Sequence, residues 1–195
     1  MNAHHLPPMP PRPPSDLDAV FAIVAETLPA AGIDCLLIGG FAVNYHGYSR
    51  STLDIDLMIL ADRRDEVRDI MKREGFTNVS MHENVMFVQR PGSQLRVDVL
   101  QVDANTMSQL MSRAEQGEVG GKTIRFPALK DLLAMKFFAL GQNPARRMGK
   151  DLPDIAHLAI HHGLDLEKDL HPLAVRYASE AVYELVANQV RIMRT

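Results

Sequence analysis

Residues 38–57, Ile38-Gly39-Gly40-Phe41-Ala42-Val43-Asn44-Tyr45-His46-Gly47-Tyr48-Ser49-Arg50-Ser51-Thr52-Leu53-Asp54-Ile55-Asp56-Leu57, decide how the chain is read. A short apolar run, residues 34–38, leads into the glycine pair and reads as a buried strand feeding a tight turn. After Gly40 and a gap of thirteen residues, Asp54 and Asp56 alternate with Leu53, Ile55 and Leu57, the period of a strand with one acidic and one apolar face. Both carboxylates leave the same face, roughly 6.6 Å apart along the backbone at about 3.3 Å per residue. Glycines after a strand let the backbone approach a ligand closely, and amides opening a following helix can hold phosphate oxygens. Carboxylates so placed can share a pair of hard cations about 3.5–4 Å apart, which activates an attacking oxygen and stabilises a leaving one. Two aspartates on a solvated strand face have the same spacing, so their company decides.

Asp98 is that company. In Leu95-Arg96-Val97-Asp98-Val99-Leu100 one acid stands among aliphatics on a strand, where an unpaired charge is costly and calls for a cation or a hydrogen-bonding network. Arg96 points to the same face by the period-two rule, so an ordinary ion pair is the plainer alternative.

Outward from this segment, Ser15 with Asp16 and Asp18 starts a first amphipathic helix that Pro29 and Gly32 end. Residues 62–74 have helical periodicity, with Gly75 as the stop. Strands are expected over residues 76–81, 84–89 and 94–102, the last two joined by a hairpin loop at Arg90-Pro91-Gly92-Ser93. A short helix over residues 105–116 and a brief strand over residues 122–126 follow. Long helical patterns then take over at residues 129–140, about 153–162 and 172–193. The order predicts a small mixed α/β sheet flanked by helices over residues 15–126 and a helical C-terminal region over residues 127–195. Residues 1–14 hold six of the twelve prolines and read as a flexible proline-rich tail.

At 195 residues the chain has room for one main core, and 46% hydrophobic with 23% charged residues fits a soluble globular protein. The net charge of -3 gives no overall positive field for phosphate backbones or anionic lipid. A single cysteine, Cys35, excludes an internal disulfide and an all-cysteine metal site and favours a reducing compartment, the cytoplasm. The apolar runs are far shorter than the roughly 18 residues of a membrane span, and the N-terminus has no secretory-signal pattern. His157 and His161 lack a third ligand for zinc. Gly117 to Gly121 lacks the order of a Walker loop, and Gly39-Gly40 lacks the third glycine of the dinucleotide fingerprint.

The glycine pair, the gap, Asp54-x-Asp56 and the later strand aspartate together resemble the polymerase-beta-type nucleotidyltransferase superfamily. Gly47-Tyr48-Ser49-Arg50-Ser51-Thr52 resembles its minimal bacterial and abortive-infection-type, toxin-like members. The resemblance covers residues 35–100 and weakens toward Asp154. It implies a nucleotidyltransferase fold in which Gly39 and Gly40 line the triphosphate and Asp54 and Asp56 bind Mg2+, with Mn2+ as a substitute. Asp98 would join the metal site and help deprotonate the acceptor hydroxyl. Arg50 and Thr52 would lie near the phosphates or sugar, and Lys136 would face the phosphates, although a lysine stem snorkelling along an apolar helix is the bland alternative. Arg146-Arg147-Met148-Gly149-Lys150-Asp151-Leu152-Pro153-Asp154 resembles a later motif of the same groups, with Arg147, Lys150, Asp151 and Asp154 as accessory residues. Ordinary helix-start chemistry, with Asp151 as a cap and Pro153 in the first turn, explains that segment too. The implied activity is metal-dependent transfer of a nucleoside monophosphate from a nucleoside triphosphate to a hydroxyl acceptor, on a small molecule, a protein or an RNA end, with release of pyrophosphate. The rivals are a regulatory or antitoxin-like binding module with weak or no catalysis, and a nucleotide-binding protein without transfer chemistry.

Overall fold

The computed structural model describes residues 15–194, so the proline-rich stretch read as a tail lies outside the described residues. Ser15 opens α1 (Asp16–Ala22) through a reciprocal capping box with Asp18, which satisfies amides that the first turn leaves without partners. The helix runs on through a π-type segment, Ile23–Thr27, into α2 (Leu28–Ala30), and Gly32 ends it at φ +67°.

Then come β1 (Cys35–Leu37), α3 (Gly39–Tyr45), β2 (Asp54–Leu60) and, after a 3-10 turn, α4 (Arg64–Arg73). β3 (Asn78–Met81), β4 (Val85–Gln89) and β5 (Arg96–Val102) form a meander, and Asp103 caps α5 (Ala104–Arg113). The five strands make one sheet in the order β1-β2-β5-β4-β3. Only β2 and β5 run parallel; the other neighbours are antiparallel.

Strand alternation divides the sheet into two faces. Ile55, Leu57, Ile59, Val97, Val99, Met86 and Val88 point into the main core against α1 and α4. On the opposite face, Met58 and Leu100 are covered by Met107 and Leu110 of α5 and by Met135, whereas the stretch carrying Asp54, Asp56 and Asp98 is left open. The acids therefore stand where the apolar cover of that face stops.

Two expectations are corrected beyond the sheet. The helix expected to reach residue 116 stops at Arg113, and β6 (Glu115–Val119) pairs with β7 (Lys122–Phe126) in a separate hairpin. Glu115-Gln116-Gly117-Glu118 carries little apolar alternation, and what anchors it is distant: Tyr45 stacks on Phe126 at 4.3 Å and donates to Glu115. In the helical lobe, α6 (Leu129–Gln142), α7 (Pro144–Arg147) and α8 (Asp151–His161) lead to α9 (His171–Tyr177) and α10 (Glu180–Arg194). The single helix expected over residues 172–193 is thus two. It breaks at Ala178, whose backbone lies so close to Gly141 of α6 that a side chain at 141 would collide with it, and Ser179 restarts α10 by accepting from the Val182 amide. One apolar cluster takes in the sheet, α6, α8 and α10, so the lobe and the sheet share a core. Among the described residues no helix is long and apolar enough to cross a membrane.

Phe137 of α6 is fully buried in this shared cluster. Phe137→Ala is expected to cost about 3–5 kcal/mol and to lower the urea midpoint as a single transition by circular dichroism. Two separated transitions in the parent protein would contradict a shared core.

Candidate active site

Parallel pairing sets Asp54 beside Arg96 and Asp56 beside Asp98, so the three acids named from the sequence share one sheet face. Gly39 sits at φ +60°, where a Cβ would run into the Asp56 carboxylate, and a Cβ on Gly40 would meet the Thr52 side chain. Both glycines thus have a steric reason to be glycine: the α3 turn lies directly against the acids. The Ile38 amide donates to the Asp56 carbonyl at 2.8 Å and pins that turn to β2.

Burial pushes the Asp56 carboxyl above its ordinary range, and Asp98 and Asp54 add to the rise while Lys150 and Lys136 oppose it. Asp98 is held by Arg96, which donates from Nε to Oδ1 at 2.6 Å and from the second arm to Oδ2 at 2.8 Å. Arg96 also comes within 3.7 Å of Asp54 and lies over the Phe87 ring at 4.9 Å. Among the described residues no three His, Cys, Asp or Glu side chains converge on one metal position. The donor chemistry still fits a hard divalent cation: the anions on this wall of the cleft are the carboxylates of Asp54, Asp56 and Asp98.

Facing the acids across a cleft of about 520 Å³ is the start of the helical lobe, with Lys136, Arg146, Arg147 and Lys150. Lys136 is 4% exposed, and its ammonium donates to Asp151 at 3.0 Å and Asp154 at 2.6 Å. Arg147 reaches Asp151 at 3.4 Å. Arg146 and Lys150 have no acidic partner among the described residues, and Lys150 acts electrostatically on Asp56. Asp151 therefore serves the lysine and is not the helix cap; Lys150 occupies the cap position of α8.

The cleft brings together Gly39, Asp54, Asp56, Asp98, Lys136, Arg147, Lys150 and Asp151 and leaves Gly40, Arg50, Thr52 and Asp154 outside its lining. Arg50 forks onto Asp154, Nε to Oδ1 at 2.6 Å and the second arm to Oδ2 at 2.8 Å. Asn44 clamps the Arg50 backbone from both sides, each bond 3.0 Å. Thr52 donates to the Asp54 carbonyl at 3.2 Å. These residues brace the loop before β2 and tie it to the lobe. Burial alone would raise the Asp154 carboxyl, but Arg50 and Lys136 outweigh it and hold it below the usual range. Sequence reasoning missed Asn44 and Arg146; Asn44 lies on α3 six residues before the arginine it clamps, a separation with no regular period to reveal it.

The fold is that of a nucleotidyltransferase. Residues 22–191 match the family described as Nucleotidyl transferase AbiEii toxin, Type IV TA system, and the chain belongs to that family. Among solved structures, the antibiotic-resistance factor ANT(2'')-Ia is similar in fold at TM-score 0.64 and 12% identity, over 90% of this chain and 97% of that one. The lincosamide antibiotic adenylyltransferase LnuA follows at TM-score 0.52 and 16% identity, over 72% and 94%. An antigenic nucleotidyltransferase-like protein from Paracoccidioides brasiliensis gives TM-score 0.52 and 19% identity, over 90% and 87%. No curated protein matches the chain.

Opposite pH signatures are expected for two of these acids. Asp154 is lowered, so its stabilisation is complete above the unfolded value of 3.8 and is lost as pH falls through its folded value. Asp154→Asn should cost about 3–5 kcal/mol and flatten the acid limb of the urea midpoint against pH. Asp56 is raised, so its ionisation opposes folding above 3.8, and Asp56→Asn should leave the neutral-pH midpoint unchanged or higher. A lower midpoint for Asp56→Asn would contradict the burial cost assigned to its charge.

Proposed function

We propose that this nucleotidyltransferase moves a nucleoside monophosphate from a nucleoside triphosphate to a hydroxyl acceptor and releases pyrophosphate, with Mg2+ held by Asp54 and Asp56. The observation that carries the reading is the opposition of charge across one cleft: carboxylates on β2 and β5, and the unpaired cations Arg146 and Lys150 on the lobe. A triphosphate with a divalent cation is a ligand that satisfies both walls, because its oxygens accept from the cations and the metal neutralises the acids.

When bound, Mg2+ supplies charge neutralisation at the phosphates and acidifies the attacking hydroxyl. The chain's own residues do the rest. Arg146 and Lys150 hold the phosphates, and Lys136, bound to Asp151 and Asp154, fixes the wall that carries them. Asp98 accepts the acceptor's proton as its oxygen bonds to the α-phosphorus, the bond from that phosphorus to the β-phosphate oxygen breaks, and pyrophosphate leaves. Asp98 would be a further ligand for the metal, in exchange for bonds it now accepts from Arg96.

One observation favours a second reading, a nucleotide-binding or antitoxin-like module without turnover: both Asp98 oxygens accept from Arg96. Pyrophosphate release with each nucleoside triphosphate, Mg2+ and cell extract separates the two. Turnover is expected to need the metal and to fall by about 100-fold or more in Asp54→Asn or Asp56→Asn, on the scale of losing a group that stabilises transition-state charge. Unchanged turnover in either variant contradicts the assignment.

A further inference from the structure

The cleft is charged at one end and apolar at the other. Asp98 and Leu100 leave the same face of β5, about 6.6 Å apart along the strand, and register sets Val85 of β4 beside Leu100. On the lobe, Leu132, Met135, Lys136 and Ala139 fall at the spacing of one helical stripe and all line the cleft. Leu100 and Met135 also pack on one apolar cluster, with Met58, Met107 and Leu110. Beyond Asp98 both walls are therefore apolar: Val85 and Leu100 on the sheet, Leu132, Met135 and Ala139 on α6. One side chain departs from this division. Among the described residues Asn84 is the only uncharged polar side chain in the cleft lining. Its backbone is fixed, because its carbonyl accepts from the Gln101 amide of β5 at 3.0 Å, next to Leu100. Its side chain is exposed and has no hydrogen-bond partner among the described residues.

We propose that the apolar end of the cleft is the nucleobase site and that the Asn84 carboxamide bonds the edge of the base. The inference rests on the triphosphate reading above. Arg146, Lys150 and the acids take the charged part of the ligand, which leaves a ribose and a base to place. A nucleobase has two apolar faces and a neutral edge of donors and acceptors. The aliphatic walls suit the faces, and a lone carboxamide, with one donor group and one acceptor group, suits the edge. The step of about 6.6 Å from Asp98 to Leu100 is the length of a ribose.

The carboxamide supplies affinity for a base without choosing one. Turned one way it meets the ring N–H and carbonyl of uracil or guanine; turned the other way it meets the ring nitrogen and amino group of adenine or cytosine. No bond to the protein fixes which way it turns. A carboxylate in its place would only accept, and guanine alone offers two adjacent donors, N1–H and the N2 amino group. The identity of the side chain at position 84 thus sets whether the site discriminates.

The test is isothermal titration calorimetry of the full chain with Mg2+, using the α,β-methylene analogues of ATP, CTP, GTP and UTP and, as a ligand with no base, inorganic tripolyphosphate. The parent is expected to bind all four analogues about tenfold or more tighter than tripolyphosphate. Asn84→Ala, at an exposed position, should weaken the four analogues by about tenfold and leave tripolyphosphate unchanged. Asn84→Asp should bind the GTP analogue about tenfold tighter than the UTP analogue. Tripolyphosphate binding as tightly as the analogues, an Asn84→Ala variant that binds the analogues like the parent or loses tripolyphosphate equally, or an Asn84→Asp variant with no preference for guanine overturns the base assignment and leaves the triphosphate reading standing. A parent chain that binds neither the analogues nor tripolyphosphate overturns the triphosphate reading itself.

Discussion

The parallel pairing of β2 with β5 is the constraint on which the rest of the molecule depends. Among the described residues it is the only parallel contact in the sheet, and its register sets Asp56 beside Asp98 and Asp54 beside Arg96. A slip of one residue in either strand would turn that strand's acids toward the apolar core. The core prevents that slip, because Ile55, Leu57, Val97 and Val99 are fully buried on the other face. Hydrophobic burial therefore does the work of bringing like charges together, and Asp56 carries the electrostatic consequence as a raised carboxyl. A site in which folding opposes ionisation is a common mark of function.

The opposite wall follows a different logic. Lys136, Asp151 and Asp154 are almost fully buried and satisfy one another, with Arg50 closing the set from the loop before β2. Breaking such a set is costly because it strands a buried charge, so the network fixes how the lobe meets the sheet. Arg146 and Lys150, a turn away, are left facing the cleft. The buried charges hold the geometry, and the unpaired ones remain for a ligand.

Much of this was legible in the chain. Asp54-x-Asp56 declares its face through the strand period, and Asp98 shows itself as an acid among aliphatics; both readings are local. The glycine pair was legible as a close approach, although the structure adds that Asp56 and Thr52 are what approach it. Long-range partners were not legible. Arg50 meets Asp154 across 104 residues, and no local pattern distinguishes that brace from a phosphate contact. Asp151 looked like a cap because it opens a helix, yet a buried lysine fifteen residues upstream takes its carboxylate. The hairpin strand at Glu115 and the break at Ala178 were hidden for a related reason: tertiary contacts, with Tyr45 and with Gly141, set them against weak local signals.

The central claim is that acids and bases on facing walls grip one metal-bound triphosphate. A crystal structure of the chain with Mg2+ and a non-hydrolysable nucleoside triphosphate tests it most directly. The account predicts metal density at Asp54 and Asp56 and phosphates within hydrogen-bond reach of Arg146 and Lys150. Nucleotide bound elsewhere, or phosphates in the cleft with no metal at those aspartates, would contradict it.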